Sequence, residues 1–406
     1  EKGYPMKKII IAGTGFSGVW AALSACRAIA LANQQAEFDV TVVSPEPNLV
    51  IRPRLYEARL DDMAPDVGAL LKAAGARHLP GRVITINAPA RTVVIELMNG
   101  AREMFDYDRF VLATGSQLFR PQIPGLEEYA FDVDQLASAR ELDIHLEELS
   151  RKPDSAARNT VLVAGGGLTG IEAAMEMPIR LRSAWGPTTK FDVVLVDTAD
   201  RPGGALGEAA QPFISEALNY AGVAVRTGAR VNAVTADSAT LSSGERIATN
   251  TVVWTAGMRA SPLAAQIPGE RDELGRIVGD AYLRAPSANG IFVTGDTVRA
   301  RTDDLGHSAV MSCQHALSLG RVAGHNAAAE LIGLPLHAYS QPKYVTCIDL
   351  GAWGALYTEG WDRKVRFTRQ EAKKIKQEIN RVWIYPPTAD REAVFAVANP
   401  DYVIVP

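Results

Sequence analysis

Lys7-Lys-Ile-Ile-Ile-Ala-Gly13-Thr-Gly15-Phe-Ser-Gly18 is the stretch that decides the fold of the N-terminal part of the chain. Its apolar first half is typical of a buried parallel strand, and the Ala-rich segment Val19–Ala30 that follows predicts a helix. Gly13 suits a tight turn, Gly15 lets the backbone approach a pyrophosphate, and Gly18 lets helix and strand pack closely. Amides at the start of the helix would face the anion, so the stretch predicts a dinucleotide-binding unit.

The same unit recurs in the middle of the chain. Thr160–Ala164 is a second apolar run, Gly165-Gly-Gly167-Leu-Thr-Gly170 a second glycine loop, and Ile171–Met177 a second helical segment. A single glycine loop can be an ordinary turn, but two loops, each between a strand and a helix, favour two dinucleotide-binding folds.

Each unit should carry an acidic residue after its second strand, where a carboxylate can bond an adenosine ribose. In the second unit, Phe191–Val196 is followed by Asp197, which suits the ribose 2′-hydroxyl of NADH and would repel the 2′-phosphate of NADPH. Arg201 is the competing signal, because it could pair with that phosphate. In the first unit, Asp39–Val43 is followed by Glu46, a displaced candidate. We therefore expect NADH, with NADPH as the alternative.

Composition limits the partners and the compartment. The chain has 406 residues, more than one hydrophobic core usually supports, and its net charge of -4 gives no overall field for nucleic acid. Its three cysteines lack the spacing of a zinc cluster or a disulfide framework, so we expect no metal. No apolar run of about 18 residues predicts a membrane span. We expect a cytoplasmic protein, with residues 1–5 as an addition before a natural start at Met6.

Further motifs follow the two glycine loops in a fixed order. They are Tyr107–Ser116, Ile123–Leu126, Gly170–Glu172, Val253–Gly257, Ala260–Pro262, Gly275–Val278 and Ile291–Thr297. This order resembles the pyridine nucleotide oxidoreductases with two dinucleotide folds, and most closely the FAD-containing, type II NADH dehydrogenase-like group. The resemblance covers nearly the whole chain.

The resemblance implies an α/β fold with two Rossmann-like dinucleotide-binding domains, one for FAD and one for NAD(P), and a small C-terminal α+β domain. We expect a discontinuous FAD-binding domain of residues 6–115 and 263–335. Residues 116–262 would form the NAD(P)H-binding domain, and residues 336–406 the C-terminal domain.

The resemblance also implies the cofactor-binding residues. For FAD they are Gly13, Gly15, Phe16, Ser17, Gly18, Glu46, Arg52, Pro53, Ala113, Thr114, Gly115, Gly295 and Asp296. For NADH they are Gly165, Gly167, Leu168, Thr169, Gly170, Asp197, Ala256 and Gly257. The family's aspartate at the position of Asp296 bonds the ribitol side of FAD; a helix cap is the alternative interpretation.

Few catalytic side chains are expected, because the cofactors carry the redox chemistry. The family places a carboxylate near the nicotinamide carboxamide at the position of Glu172, where favourable charge at a helix N-terminus is the alternative. Type II enzymes carry an A-Q-x-A-x-Q-x-G helix at the quinone. The matching stretch Cys313–Gly320 keeps Gln314 but has Ser318 for the second glutamine. The CxxxxC pair of disulfide reductases is missing, since the first helix holds only Cys26.

Two residues of that stretch have open roles. Cys313 is either a redox thiol facing the flavin or a buried small hydrophobe. His315 is either a proton relay to a quinone oxygen or flavin, or a histidine satisfied by its surroundings. No further Cys or His cluster completes a four-ligand metal site with them.

The C-terminal region differs from that of the membrane-bound enzymes. Tyr344–Asp349 and Trp353–Tyr357 predict a small antiparallel sheet, and Val394–Val397 and Tyr402–Val405 predict closing strands. Arg369–Val382 predicts a basic amphipathic helix, with Ile375, Ile379 and Val382 opposite the charges of Lys373, Lys374, Lys376 and Arg381. Such a helix could lie on a membrane surface, cover a second subunit in a homodimer, or dock on its own domain with a solvated charged face.

The leading hypothesis is an NADH:acceptor oxidoreductase that uses FAD and reduces a quinone or quinone-like compound. One alternative is a reductase of a small electron-carrier protein, for which a basic face would dock an acidic partner. Another resembles the apoptosis-inducing-factor side of the superfamily, a slow NADH-sensing flavoprotein.

Overall fold

A computed structural model describes residues 6–405, so the expected addition 1–5 lies outside the described residues. The helices are α1 (Phe16–Leu31), α2 (Gly68–Ala74), α3 (Leu126–Tyr129), α4 (Leu136–Ser150), α5 (Ala156–Asn159), α6 (Leu168–Trp185), α7 (Gln211–Ala221), α8 (Cys313–Ile332), α9 (Arg369–Glu378) and α10 (Arg391–Val397). A π-helical turn, Ile379–Trp383, follows α9 directly.

The strands are β1 (Lys7–Ala12), β2 (Phe38–Ser44), β3 (Arg77–Asn87), β4 (Thr92–Leu97), β5 (Arg102–Asp106), β6 (Arg109–Leu112), β7 (Ser116–Leu118), β8 (Ala130–Phe131), β9 (Thr160–Ala164), β10 (Asp192–Val196), β11 (Val223–Arg226), β12 (Val231–Val234), β13 (Ser238–Leu241), β14 (Arg246–Ala248), β15 (Thr251–Trp254), β16 (Met258–Ala260), β17 (Ile277–Val278), β18 (Ile291–Val293), β19 (Val298–Arg299), β20 (Val345–Asp349), β21 (Ala355–Glu359) and β22 (Lys364–Thr368).

Two large sheets dominate the architecture. The first has the order β18-β6-β1-β2-β3-β4-β5; its first five strands are parallel, and β4 and β5 are antiparallel additions. The second is wholly parallel, in the order β11-β10-β9-β15-β8. In each sheet a glycine loop follows the middle one of the five parallel strands, β1 or β9, and leads into a helix. The carboxyl ends of these strands are where open α/β sheets bind ligands, and the predicted fold class is confirmed.

Helix α8 lies unusually close to α1 because two glycines of α8 face the backbone of α1. A Cβ added to Gly320 would stand 2.4 Å from the carbonyl oxygen of Ser17, and one added to Gly324 would stand 1.9 Å from that of Ala21. Any larger residue would push the helices apart. This contact fixes the first turns of α8 beside the first glycine loop.

The C-terminal region forms the predicted antiparallel sheet, in the order β20-β21-β22. The predicted closing strands are wrong: Val394–Val397 belongs to α10, and Tyr402–Val405 forms no strand. Asp390 explains the helix, because its side chain accepts a hydrogen bond from the Ala393 amide at 2.8 Å and caps the N-terminus. Val394 then packs in the core.

The predicted basic helix also needs correction. It is α9 followed by the π-helical turn, and its charged and apolar faces are not divided as the sequence pattern indicates. Lys373 bonds the Asp349 carboxylate at 2.6 and 2.8 Å, and Lys376 is buried against Glu172. Val382, expected on the apolar side, is exposed. Two of the basic charges therefore point into the protein, because carboxylates of other elements pair with them there.

Candidate active site

A cavity of about 1590 Å³ joins the first glycine loop, the start of α6, the start of α8 and the C-terminal region. Its lining includes Gly13, Gly15, Phe16, Ser17, Arg52, Pro53, Ala113, Thr114, Gly115, Asp296, Leu168, Thr169, Glu172, Cys313 and Gln314. Most of the predicted FAD-binding residues and three of the four predicted catalytic residues thus meet in one space.

The first glycine loop forms a cradle, and each of its three glycines is needed for a different reason. Gly13 has φ +110°, and a Cβ there would stand 2.5 Å from the Ala113 carbonyl oxygen. A Cβ on Gly18 would stand 2.0 Å from the Gly13 carbonyl oxygen. Gly15 meets no atom within 4 Å, so its position is open toward the cavity. Gly13 and Gly18 are therefore required by the chain itself, whereas Gly15 leaves room for a ligand.

Polar groups continue the cradle away from the glycines. The Ser116 hydroxyl donates to Asp296 Oδ2 at 2.5 Å, and Arg52 bonds Asp134 Oδ1 at 2.5 Å. The hydroxyl of Thr114 is buried and has no hydrogen-bond partner among residues 6–405. Asp296 makes its side-chain contacts across the cavity wall and caps no helix. A chain of hydroxyl, carboxylate and guanidinium groups beside a glycine cradle fits the ribitol and pyrophosphate of FAD.

Glu46 is placed less favourably than the other predicted FAD ligands. It is exposed after β2, and its carboxylate accepts a hydrogen bond from Asn48 at 3.0 Å. Asn48 and Ser44 line the cavity, but Glu46 does not. Its role as a ribose ligand remains a prediction.

The second glycine loop repeats the geometry of the first. A Cβ on Gly170 would stand 1.7 Å from the Gly165 carbonyl oxygen, while Gly167 meets no atom within 4 Å. Asp197 follows β10 and lies directly over the loop, since a Cβ on Gly166 would stand 2.1 Å from its Oδ2. The loop, Asp197 and the nearby turn at Ala256 and Gly257 are therefore assembled at the end of β9.

Arg201, the competing signal for NADPH, is engaged elsewhere. Its guanidinium forms a salt bridge with Glu208 at the surface. To pair with a 2′-phosphate, Arg201 would have to leave that partner.

Glu172 forms a buried ion pair that links α6 to α9. Lys376 Nζ donates to Glu172 Oε1 at 2.7 Å and to the Cys347 carbonyl at 2.8 Å, and both pair members line the cavity. The Asp349 amide donates to the same Glu172 oxygen at 2.9 Å. Burial raises the pKa of Glu172, and Lys376 opposes this rise. Burial is the largest single effect on Lys376 and disfavours its charged form, but Glu172, Cys347 and Asp349 together outweigh burial and raise the pKa of the lysine, so Lys376 stays protonated.

Glu176 lies one helical turn after Glu172. Burial raises its pKa from 4.5 to about 7, with the Asp349 carboxylate acting in the same direction. Asp349 also accepts a hydrogen bond from Tyr56 at 3.2 Å. The folded protein thus holds a proton on Glu176 that the unfolded chain releases near pH 4.5. The stability contributed by this group is present below about pH 4.5 and is lost as the pH rises through about 7.

We therefore expect Glu176→Gln to raise the free energy of unfolding at pH 8 by about 1–3 kcal/mol and to leave it unchanged near pH 4. Chemical denaturation at both pH values checks this. Glu147→Gln is the control, because Glu147 pairs with Arg151 on the exposed surface of α4. Equal effects of Glu176→Gln at the two pH values would contradict the shifted pKa.

The three predicted residues of α8 have different surroundings. Gln314 lines the cavity, but its amide group is used by the edge of β20, donating to the Val345 carbonyl at 2.9 Å. Cys313 also lines the cavity, and burial raises its pKa to about 11, so it is a neutral thiol at neutral pH. His315 is fully buried, does not line the cavity, and packs on the ring of Tyr344. Burial lowers its pKa to about 4.

Several cavity residues are not signalled by the sequence motifs. Ser116 ends the Tyr107–Ser116 motif but is not among the expected FAD ligands, although its hydroxyl bonds Asp296. Asp134, Lys376 and Cys347 had no such signal, because their contacts join segments distant in the chain. Among residues 6–405, no group of three or more His, Cys, Asp or Glu side chains is arranged to hold a metal ion.

The cavity opens beside the C-terminal region. The π-helical turn Ile379–Trp383, Tyr385–Thr388 and Tyr402–Val405 form its outer wall. Val382 and Val403 are 64% and 62% exposed at this wall. The mouth is therefore bordered by apolar side chains. Within the described chain, no helix combines the length and the apolar character needed to cross a bilayer.

Residues 7–320 match the family described as pyridine nucleotide-disulphide oxidoreductase. The chain belongs to this family. It is 46% identical over 399 residues to an NADH dehydrogenase-like protein of Mycobacterium tuberculosis, covering 97% of this chain and 98% of the relative. It is 24% identical over 366 residues to a type II NADH:quinone oxidoreductase of Staphylococcus saprophyticus, covering 85% of this chain and 88% of the relative.

Among solved structures, NDH2 from Plasmodium falciparum in complex with NADH superposes with a TM-score of 0.75 at 13% identity, and 97% of each chain is covered. At this identity the likeness supports the fold alone. Together with the family match it confirms the resemblance inferred from the motifs. The protein is an NAD(P)H oxidoreductase.

Proposed function

We propose that this oxidoreductase uses FAD to oxidise NADH and reduces a quinone or quinone-like acceptor. The observation that carries the proposal is the single cavity that extends from the first glycine loop, past the start of α6, to the buried Glu172–Lys376 pair and an apolar mouth. One space thus offers sites for the flavin, for the nicotinamide end of NADH and for an apolar acceptor. The 24% identical quinone oxidoreductase is consistent with this assignment.

The protein's contribution is binding, orientation and exclusion of water. The open position at Gly15, the α1 amides and the Asp296–Ser116 pair would hold FAD. When bound, this cofactor supplies the chemistry that takes up a hydride and releases its two electrons one at a time or together. Leu168 and Thr169, at the start of α6, line the same cavity and would position the nicotinamide.

The Glu172–Lys376 pair suits the proton side of the reaction. Reduction of a quinone to a quinol by NADH takes up one proton from solvent in addition to the hydride. Lys376 Nζ is protonated and faces the cavity, where it can donate a hydrogen bond to a quinone oxygen and stabilise the negative charge that forms there until the proton arrives from solvent. Glu172 holds the lysine in place and keeps it in the charged form.

Two other acceptor classes are less well supported. A disulfide substrate would need a reactive thiolate, but burial raises the pKa of Cys26 to about 12 and that of Cys313 to about 11. A carrier protein would dock on a basic face, but Lys373 and Lys376 bond carboxylates inside the molecule. The apolar mouth instead favours a lipophilic acceptor and peripheral contact with a membrane surface.

An acceptor panel tests the proposed function. The FAD-loaded enzyme with excess NADH is assayed with a short-chain quinone, lipoamide, a ferredoxin and oxygen. We expect the quinone to give the highest kcat/KM by about tenfold or more. Faster, salt-sensitive reduction of the ferredoxin would favour a carrier reductase, and turnover below about one per minute with every acceptor would favour a sensor.

Asp197 provides a prediction for the choice of nicotinamide cofactor. We expect Asp197→Ala to lower the ratio of kcat/KM for NADH over NADPH by about 10- to 100-fold, because the substitution removes both the ribose acceptor and the repulsion of the 2′-phosphate. Steady-state kinetics with both cofactors measure the ratio. Asp200→Ala, in the following turn, is the control. An unchanged ratio in Asp197→Ala would remove this residue from the NADH site.

A further inference from the structure

Arg321 is a buried cation in the cavity that the reaction above does not use. It lies in α8, lines the cavity and is 2% exposed. Its guanidinium carbon lies 3.6 Å from the ring centroid of Trp20 and 4.7 Å from that of Tyr402. Nε donates to the Val397 carbonyl at 2.7 Å, and Nη1 donates to the Leu317 carbonyl at 2.9 Å.

The guanidinium has no anionic partner in the described part of the chain. Among residues 6–405, no carboxylate lies within salt-bridge distance of Arg321, and its Nη2 has no hydrogen-bond acceptor. Burial lowers the pKa of Arg321 to about 9, opposed by Tyr402. A buried charge without a partner is strongly unfavourable, and carbonyl oxygens and aromatic faces compensate it only in part. The side chain is therefore prepared for an anion that enters the cavity.

The position of Arg321 along α8 suggests what carries that anion. Gln314, at the start of the helix, lines the cavity, and so does Lys376. Arg321 follows seven residues later, a distance of about 10 Å along the helix axis. Leu317 and Ile384 line the cavity together with these groups and are apolar. A ring near Lys376 with a short apolar chain would bring the end of that chain to Arg321.

We propose that Arg321 binds an anionic group on the electron acceptor, so that the enzyme prefers quinones whose apolar side chain ends in a carboxylate. The proposal rests on the quinone reduction proposed above. It adds a specificity determinant in the cavity, two helical turns along α8 from Gln314.

A second arginine, Arg27, distinguishes a purely structural role of Arg321 from a role in binding the acceptor. Arg27 Nε donates to the Phe395 carbonyl at 2.9 Å. Phe395 lies in the last turn of α10, the helix whose Val397 carbonyl accepts from Arg321. Arg27 does not line the cavity. If Arg321 served only to hold α10, loss of either arginine would have a similar effect on the enzyme.

The experiment compares two naphthoquinones that differ only at the end of an alkyl side chain of about eight carbons, one a carboxylate and the other its methyl ester. Both are assayed with NADH and the FAD-loaded wild type, Arg321→Met, Arg321→Lys and Arg27→Met. We expect the wild type and Arg27→Met to prefer the acid by about tenfold or more, mainly through KM. Arg321→Met should lose the preference by raising KM for the acid alone, and Arg321→Lys should keep part of it.

The outcomes separate the two proposals. Equal reduction of acid and ester by the wild type would overturn the role of Arg321 and leave quinone reduction standing; no reduction of either compound would remove both. Loss of the preference in Arg27→Met would assign it to the packing of α10. Phosphatidylglycerol vesicles and inorganic phosphate are added separately. If either abolishes the preference for the acid, the site takes a lipid headgroup or free phosphate, and the acceptor assignment is overturned.

Discussion

Replacing Lys376 with methionine is expected to lower the free energy of unfolding by about 3–5 kcal/mol and to reduce kcat with quinones. The substitution leaves Glu172 as a buried carboxylate whose only remaining donor among residues 6–405 is the Asp349 amide. Breaking a buried ion pair by removing one partner costs this much because the other charge stays desolvated. Denaturant unfolding at a fixed FAD concentration measures the loss.

The double variant Glu172→Gln/Lys376→Met is the control for this prediction. Glutamine keeps an oxygen that can accept from the Asp349 amide and removes the uncompensated charge. We expect the double variant to regain most of the stability but not the quinone reductase activity. A double variant as unstable as Lys376→Met would show that packing of the lysine, and not the buried charge, determines the loss.

The second large effect is expected at one glycine of each nucleotide loop, Gly15 and Gly167, which have free space around them. Gly15 and Gly167 each precede a helix and have φ near -70°, and a Cβ added to either would meet no atom within 4 Å. Alanine should therefore be tolerated by the folded chain and obstruct only a ligand backbone that approaches the loop. We expect Gly15→Ala to weaken FAD binding by about 10- to 100-fold, and Gly167→Ala to raise KM for NADH similarly with FAD still bound.

Flavin content of the purified variants and their KM for NADH check this pair. Gly18→Ala and Gly170→Ala are the matched comparisons, because a Cβ there would clash with the chain's own backbone. They should lower the melting temperature of the apoprotein, whereas the Gly15 and Gly167 variants should not. If Gly15→Ala and Gly167→Ala had the same effect on both cofactors, the two loops would not serve separate nucleotides.

The sequence was sufficient for the two nucleotide-binding units because each is a local pattern. The order of strand, glycine loop and helix occurs within about 25 consecutive residues, and the close contacts at Gly13 and Gly18 follow from it. Asp197 could be found for the same reason, since it directly follows β10.

The acceptor side could not be predicted in this way, because its contacts join distant segments. Glu172 and Lys376 are 204 residues apart, and the sequence pattern of α9 places the lysine on a solvated face. His315 belongs to a motif that suggests the acceptor site, yet it packs behind the cavity residue Tyr344 and does not line the cavity itself. The motif predicts a helix at the flavin, but only tertiary contacts decide which of its side chains face the cavity.

The C-terminal end shows the same limit. Val394–Val397 is a short apolar run that fits a strand or a helix equally well. The cap at Asp390 decides for α10, and the arginines that bond the last carbonyls of α10, Arg27 and Arg321, come from α1 and α8. Those partners are not visible in the local sequence.

The most direct test of the account is anaerobic titration of the FAD-loaded protein with NADH, followed by addition of a quinone. We predict that one equivalent of NADH bleaches the visible flavin absorbance, that NADPH does so more slowly, and that the quinone restores the colour. Protein that holds FAD but keeps its colour in excess NADH would contradict the central claim that the two nucleotide sites serve one redox reaction.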